Sequence, residues 1–427
     1  PSPIATATIA PIDQERESSE YDRYQMDIRV DTQNNELTCV QQVAWVNRTG
    51  GETSEAVLRM YPNSLTHEDE SPVEGFSKVF PNGADTNGLE ITRVLADGKI
   101  VAWTVDGKLE TTLRVPFEEP LEEGDTTDIT ISWSLKLPKG FYPLSYSATG
   151  IQAAWFYPIS AVTVDGKWSL TNVAESGEYP WFYPAADYEV VIRVVGDYEL
   201  CSTGKVENTS NSEAETIYSI SAQAARDFAF CVTGHEKSST KTTASGVNVI
   251  ARAQYNDRSR ELAEYATKLI EFYEGYLGSF PGEELELVQV TLTGEPSVHA
   301  GLVMVDTALF SGKQAKLDSE IAFAVARQWL GCSVGAGFAD DRDLLLPLAR
   351  YMAYLYLDQT NSESADTALS YSGAETMNGL RTSAGTSRFD PALLALCEDY
   401  AGKKCSVEEF AALCGDSESE VKTALGR

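Results

Sequence analysis

A bound divalent metal needs His, Cys or carboxylate groups spaced to face one point, and a hydrolytic nucleophile needs a base beside it. The chain is thin in both. It has three His, at positions 67, 235 and 299, and none stands at ligand spacing from another. Its seven Cys (39, 201, 231, 332, 397, 405 and 414) are scattered with no CxxC pair, so neither a zinc ribbon nor a thioredoxin-type motif is present. Most of them read as small core residues, although Cys397, Cys405 and Cys414 lie close enough in sequence for one disulfide whose pairing stays open. Asp340, Asp341 and Asp343 precede a helical pattern, where they complement a helix N-terminus better than they make a Ca²⁺ site. His299, Arg327 and Tyr371 offer polar side chains, yet none is joined in the sequence to a visible base or nucleophile partner. Asn47-Arg48-Thr49 fits a glycosylation sequon. The aromatic clusters Trp155 to Tyr157 and Trp181 to Tyr183 could line a groove, with packing at a domain interface as the default.

The elements that would position these groups fall into two kinds. From about Tyr21 to Val232, short alternating runs such as Tyr24, Met26, Ile28, Val30 and Tyr188, Val190, Ile192, Val194 have the period of half-buried strands. Asp97-Gly98, Asp106-Gly107 and Asp165-Gly166 separate runs and fit hairpin turns. The polar stretch His235 to Gly246 precedes one last strand-like piece, Val247 to Ala251, and then the period changes. Leu262, Tyr265, Ala266, Leu269, Ile270, Tyr273, Tyr276 and Leu277 predict an amphipathic helix ended by Gly278. After a strand at Leu285 to Leu292, helical patterns cover Asp318 to Cys332, Arg342 to Leu357, Ala374 to Thr382, Pro391 to Tyr400 and Val407 to Cys414. The expected plan is a flexible tether over 1–20, an all-β domain over 21–236 and a helix-rich α+β domain over 237–427.

With 427 residues and 43% hydrophobic content, the chain can bury the cores of two domains. Its 33 basic and 64 acidic residues give a net charge of −31, which repels a phosphate backbone and disfavours attachment to anionic lipid through basic residues. Nucleic acid is therefore set aside as a partner. No run of about 18 apolar residues predicts a membrane span. The opening PSPIATATIAPIDQERESSE is rich in Pro, Ala, Thr and Ser and lacks an initiator Met. An upstream export or lipid-attachment segment is the expectation, with the protein outside the cytoplasm, secreted or lipid-anchored at the cell surface.

Several local islands carry a resemblance. Trp155-Phe156-Tyr157-Pro158, Gly166-Lys167-Trp168, Ala186-Asp187-Tyr188-Glu189-Val190, Ser202-Thr203-Gly204 and Arg226-Asp227-Phe228-Ala229 resemble, in order, the N-terminal domain of bacterial M1 metallopeptidases. Gly301-Leu302-Val303 resembles the segment after that family's exopeptidase motif, Arg327-Gln328-Trp329-Leu330-Gly331 resembles the end of HExxH-QW-x-G, and Ala349-Arg350-Tyr351 resembles the tail of EGFAxY. The resemblance implies a saddle-like β-sandwich domain followed by a thermolysin-like domain of the gluzincin type.

It also implies where the chemistry of that family would sit. Two His at i and i+4 on one helix and a Glu from the next would hold zinc, and the matching positions here are Phe323, Arg327 and Leu346. An aromatic ring, a permanent cation and an aliphatic chain offer no lone pair to Zn²⁺. The catalytic base aligns with Ala324, and the Glu that binds a substrate's amino group aligns with Val298. The transition-state Tyr aligns with Ser370, with Tyr371 displaced by one position. Phe323 and Leu346 are expected to fill the metal volume, and Arg327 to reach an acidic partner or solvent in the old cleft. No cofactor is implied. The expected function is that of an inactive homologue binding a peptide or protein partner or acting as a scaffold. The alternatives are a hydrolase working through an unrecognised site with His299, Arg327 or Tyr371, and a non-catalytic subunit of an envelope complex.

Overall fold

The alternation of Tyr24, Met26, Ile28 and Val30 becomes a strand, Asp22–Asp31, in the computed structural model. The structure describes residues 21–164, 166–170, 182–234, 236–337, 342–360, 362–371 and 373–415, together with 419, 421 and 423. The tether over 1–20, His235, Trp181, Asp340 and Asp341 lie outside the described residues, as does the side chain of Asp343.

Strand Asp22–Asp31 lies at the middle of a mixed eight-stranded sheet, parallel to Ala186–Val195 and antiparallel to Glu36–Val46. Its four apolar residues point to one side, and Tyr24 sits opposite Tyr188 with ring centroids 5.1 Å apart. Tyr157 joins them, its hydroxyl 2.9 Å from that of Tyr188. Two four-stranded sheets cover the inner side: Glu199–Ser202, Phe230–Thr233, Gly150–Ala153 and Leu144–Ser147 in one, Ile159–Ser160, Thr53–Arg59, Thr112–Leu121 and Thr104–Asp106 in the other. Asp97 and Gly98, both at positive φ, make the two-residue turn between Leu89–Ala96 and Lys99–Ile100. The Trp155-Phe156-Tyr157 cluster and Phe182-Tyr183 are buried in this packing. Asn47 is also buried, and its amide donates to the carbonyls of Gly51 and Leu121. The sequon is thus a folded turn with its acceptor nitrogen committed.

The polar stretch after residue 234 holds a strand, Lys237–Thr242, which the composition hides because its edge position leaves it mostly exposed. It opens a second, five-stranded sheet that continues through Asn248–Ala253, Glu284–Val290, Leu302–Asp306 and the edge strand Ser297–His299. Helix Asn256–Leu277 packs its apolar stripe on this sheet and stops at Gly278, where φ is 78°. The helices that follow it are Thr307–Ser311, Gln314–Ala326, Arg342–Thr360, Ser362–Leu369, Ala374–Ala384, Thr386–Asp399 and Val407–Leu413. Among the described residues no helix is long and apolar enough to cross a membrane.

The two parts are joined by buried and part-buried polar contacts. Arg226 donates from Nη1 to the Tyr183 carbonyl and from Nη2 to the carbonyls of Ser333 (2.8 Å) and Lys403 (2.6 Å), so one guanidinium ties the β-rich half to two segments of the helical half. Arg252 pairs with Glu199 at 2.7 Å and lies 3.5 Å from Glu286, whose carboxylate accepts the Ser202 amide. Burial pushes the Glu286 carboxyl up to about 7.

Candidate active site

The helix expected over Asp318 to Cys332 runs instead from Gln314 to Ala326. Arg327 caps it, and the chain then turns through Gly331. Side chains after the cap account for the early stop. Gln328 accepts the Gly301 amide and donates to the His299 carbonyl, and Trp329 donates to the carbonyls of Gly278 and Ser279. These bonds pull residues 328 and 329 toward the sheet and away from a further helical turn. The partner helix, Arg342–Thr360, carries Pro347 in its interior.

Between the two helices lies a closed polar cluster. Glu320 stands one turn before Phe323, and Arg350 one turn after Leu346, so both project toward the space between the helices. Arg350 Nη1 donates to Glu320 Oε2 at 3.1 Å. Its guanidinium carbon is 3.5 Å from the centre of the Phe323 ring and 3.9 Å from that of Tyr371, a cation held between two aromatic faces. The Tyr371 hydroxyl donates to Glu320 Oε1, giving the carboxylate a partner on each oxygen. Burial, and then the hydrogen bond and charge of Glu320, push the Tyr371 phenol far above its ordinary range. Gly373, at φ 88°, lets this segment approach the helix, since a Cβ there would sit 2.5 Å from Pro347 Cγ.

The expected site residues are distributed around this cluster. Phe323 and Ala324 are buried on the first helix, and Leu346 is half-buried on the second. Of the two residues at the Tyr position, Tyr371 reaches the cluster, whereas the Ser370 hydroxyl turns back to the Thr367 carbonyl at 2.7 Å. Arg327 does not reach solvent. Only 1% exposed, it lies with its guanidinium carbon 5.7 Å from the Phe323 ring centre and close to Cys332. Val298 is buried in the edge strand opposite Val303.

His299 lies apart from the helix pair, in the seam between the two halves. Its Nδ1 is 2.5 Å from Asp227 Oδ2 and its Nε2 is 2.9 Å from Ser297 Oγ. The order of partners, hydroxyl to imidazole to carboxylate, is that of an activated serine. Against that role, His299 is 1% exposed and Ser297 7%. Asp227, 72 residues from His299, leaves no spacing signal in the sequence, whereas Ser297 stands two residues before His299 on the same strand and so shares its face of the sheet. The pairing of Glu320 with Arg350 has a sequence signal only in their helical spacing from Phe323 and Leu346.

No family model matches the sequence, and no curated protein does. Solved structures match over nearly the whole chain. A mutant of the M1 zinc metallopeptidase from Deinococcus radiodurans bound to a Tyr-Ser-Ala substrate aligns with TM-score 0.64 and 15% identity, over 94% of this chain and 93% of that one. A mutant two-domain M1 zinc metallopeptidase bound to L-tryptophan aligns with TM-score 0.65 and 14% identity, over 96% and 95% of the two chains. The fold is M1-like.

At this identity the likeness concerns architecture, and the donor set at the helix pair has to be judged on its own atoms. Among the described residues of this M1-like chain, no three or more His, Cys, Asp or Glu side chains group to hold a metal ion. Phe323, Arg327 and Leu346 supply no electron pair, and Glu320, a carboxylate that faces the helix pair, already accepts from Arg350 and Tyr371. These residues do not fit zinc. All seven Cys are buried, and among the described residues no disulfide joins any of them, the three near the C-terminus included.

Proposed function

We propose that this chain is a non-catalytic protein on an M1 peptidase fold that acts outside the cytoplasm by holding a peptide or protein partner. The observation that carries the first half is the Arg350 guanidinium, stacked between Phe323 and Tyr371 and neutralised by Glu320. A permanent cation in that space repels a second cation and withholds the Glu320 carboxylate with which it pairs. With Ala324 in the base position, general-base activation of water has no agent. The binding half is supported by the chain's length match to peptidases crystallised with a tripeptide and with amino acids, and by a strongly acidic composition suited to basic partners or exposed solubility. The test is metal analysis of the purified protein with an aminopeptidase assay. Stoichiometric zinc, or hydrolysis abolished by a chelator, overturns the proposal.

A second proposal, hydrolysis through a different site, has one observation in its favour, the Ser297–His299–Asp227 chain. Labelling with a fluorophosphonate decides it. Modification of Ser297 in the native protein, lost in His299→Ala, supports an active serine; an unmodified Ser297 removes this alternative.

A further inference from the structure

Cys201 lies on strand Glu199–Ser202 and Cys231 on strand Phe230–Thr233, and the antiparallel register sets them directly opposite each other. Opposed residues on antiparallel strands are about 4.5 or 5.5 Å apart at Cα, with side chains on the same side of the sheet. Either spacing lies inside the roughly 4.4–6.8 Å that a disulfide spans. Both side chains are fully buried, and both sulfurs are thiols here. Among the described residues no other two cysteines stand opposite one another on paired strands: Cys39 faces Ile28 and Trp133, and the remaining four lie outside strands.

We infer that Cys201 and Cys231 are a modification site, forming a cross-strand disulfide when the chain folds in the presence of a small-molecule disulfide such as oxidised glutathione. The exchange balances. One cysteine thiolate attacks the glutathione disulfide, making a mixed disulfide and releasing one glutathione thiolate. The opposite cysteine, losing its proton, displaces the second glutathione thiolate. Two protein thiols become one disulfide, and one glutathione disulfide becomes two thiols.

The surroundings fix when this happens. The Cys201 and Cys231 face of the sheet is covered by Glu286 of the second domain, and burial followed by the charge of Glu286 pushes both thiols up. Thiolate is scarce once the halves have docked, so the bond forms after the strands pair and before the second sheet covers them. The covalent link then closes a loop that contains the hairpin Lys205–Asn211 and Glu215–Ala225, the edge of the eight-stranded sheet. It pins a segment otherwise held on one side only.

The experiment refolds the full chain from denaturant in reduced and oxidised glutathione, blocks thiols with iodoacetamide under denaturing conditions, and maps peptides by mass. Expected are Cys201 and Cys231 in one cross-linked pair two hydrogens lighter than the thiols, with the other five cysteines alkylated. Alkylation of both, or either one bridged to a different cysteine, overturns the inference. Cys201→Ser gives a second readout: Cys231 becomes alkylated, and a difference in urea midpoint between oxidised and reduced wild type disappears. A midpoint difference that persists in the variant also overturns it. None of these outcomes depends on whether the chain hydrolyses peptides.

Discussion

Glu320 and Arg350 form an ion pair that is almost wholly removed from water, so neither can be deleted cheaply. Truncation of one member of such a pair costs about 3–5 kcal/mol, because the other charge is left buried. Glu320→Ala is expected to lose stability in that range by urea denaturation, whereas Glu320→Leu combined with Arg350→Met recovers most of it, to within about 2 kcal/mol of wild type. If the single and double variants fall equally, the pair is not the organising contact of the helix space. These two residues also show what a sequence withholds. That positions 323, 327 and 346 lack electron-pair donors is visible from residue types alone. What fills the space is decided by rotamers and ring faces, which leave no mark in spacing beyond the single turn separating Glu320 from Phe323 and Arg350 from Leu346.

Strands and helices were legible where one period ran unbroken, as at Tyr24 to Val30 and Leu262 to Leu277. The edge strand Lys237–Thr242 was missed because an edge exposes polar residues on both faces, and the helix end at Ala326 because long-range bonds of Gln328 and Trp329 override local propensity. Helix Thr386–Asp399 begins before the expected Pro391, with both Asp390 carboxylate oxygens accepting from Nε and Nη2 on one edge of the Arg381 guanidinium. Gly373 has a role that only the packed elements reveal. Gly373→Ala places a side chain at φ 88° and against Pro347, and a loss of about 2 kcal/mol in thermal or urea unfolding is expected. The seam between the two sheets should show in the pH dependence of stability. Glu286 has its carboxyl raised to about 7 by burial, so the folded state binds a proton more tightly than the unfolded chain, whose carboxyl has the ordinary value of 4.5. Its contribution is therefore fully present below about 4.5 and declines as pH rises to about 7, by about 3 kcal/mol at most. Glu286→Gln should flatten that part of the stability profile; an unchanged slope assigns it to other groups.

The whole molecule carries a net charge of −31, and the mutual repulsion of its acidic groups should ease as salt screens them. The melting midpoint is expected to rise between low and moderate sodium chloride, and a fall would mean that attractive surface pairs outweigh the net charge. At this scale the order of a β-rich half before a helical one was readable from the change of period, while the bonds that lock the halves together were not. Arg226 shows what that lock implies for dissection. Because its three carbonyl acceptors come from both halves, a fragment ending in the seam would strand a charged group where water had been excluded, and a fragment beginning there would expose the carbonyls it served. Cutting the chain at the boundary should yield insoluble pieces, and any large-scale opening of the two halves must first break a three-way knot on a single side chain.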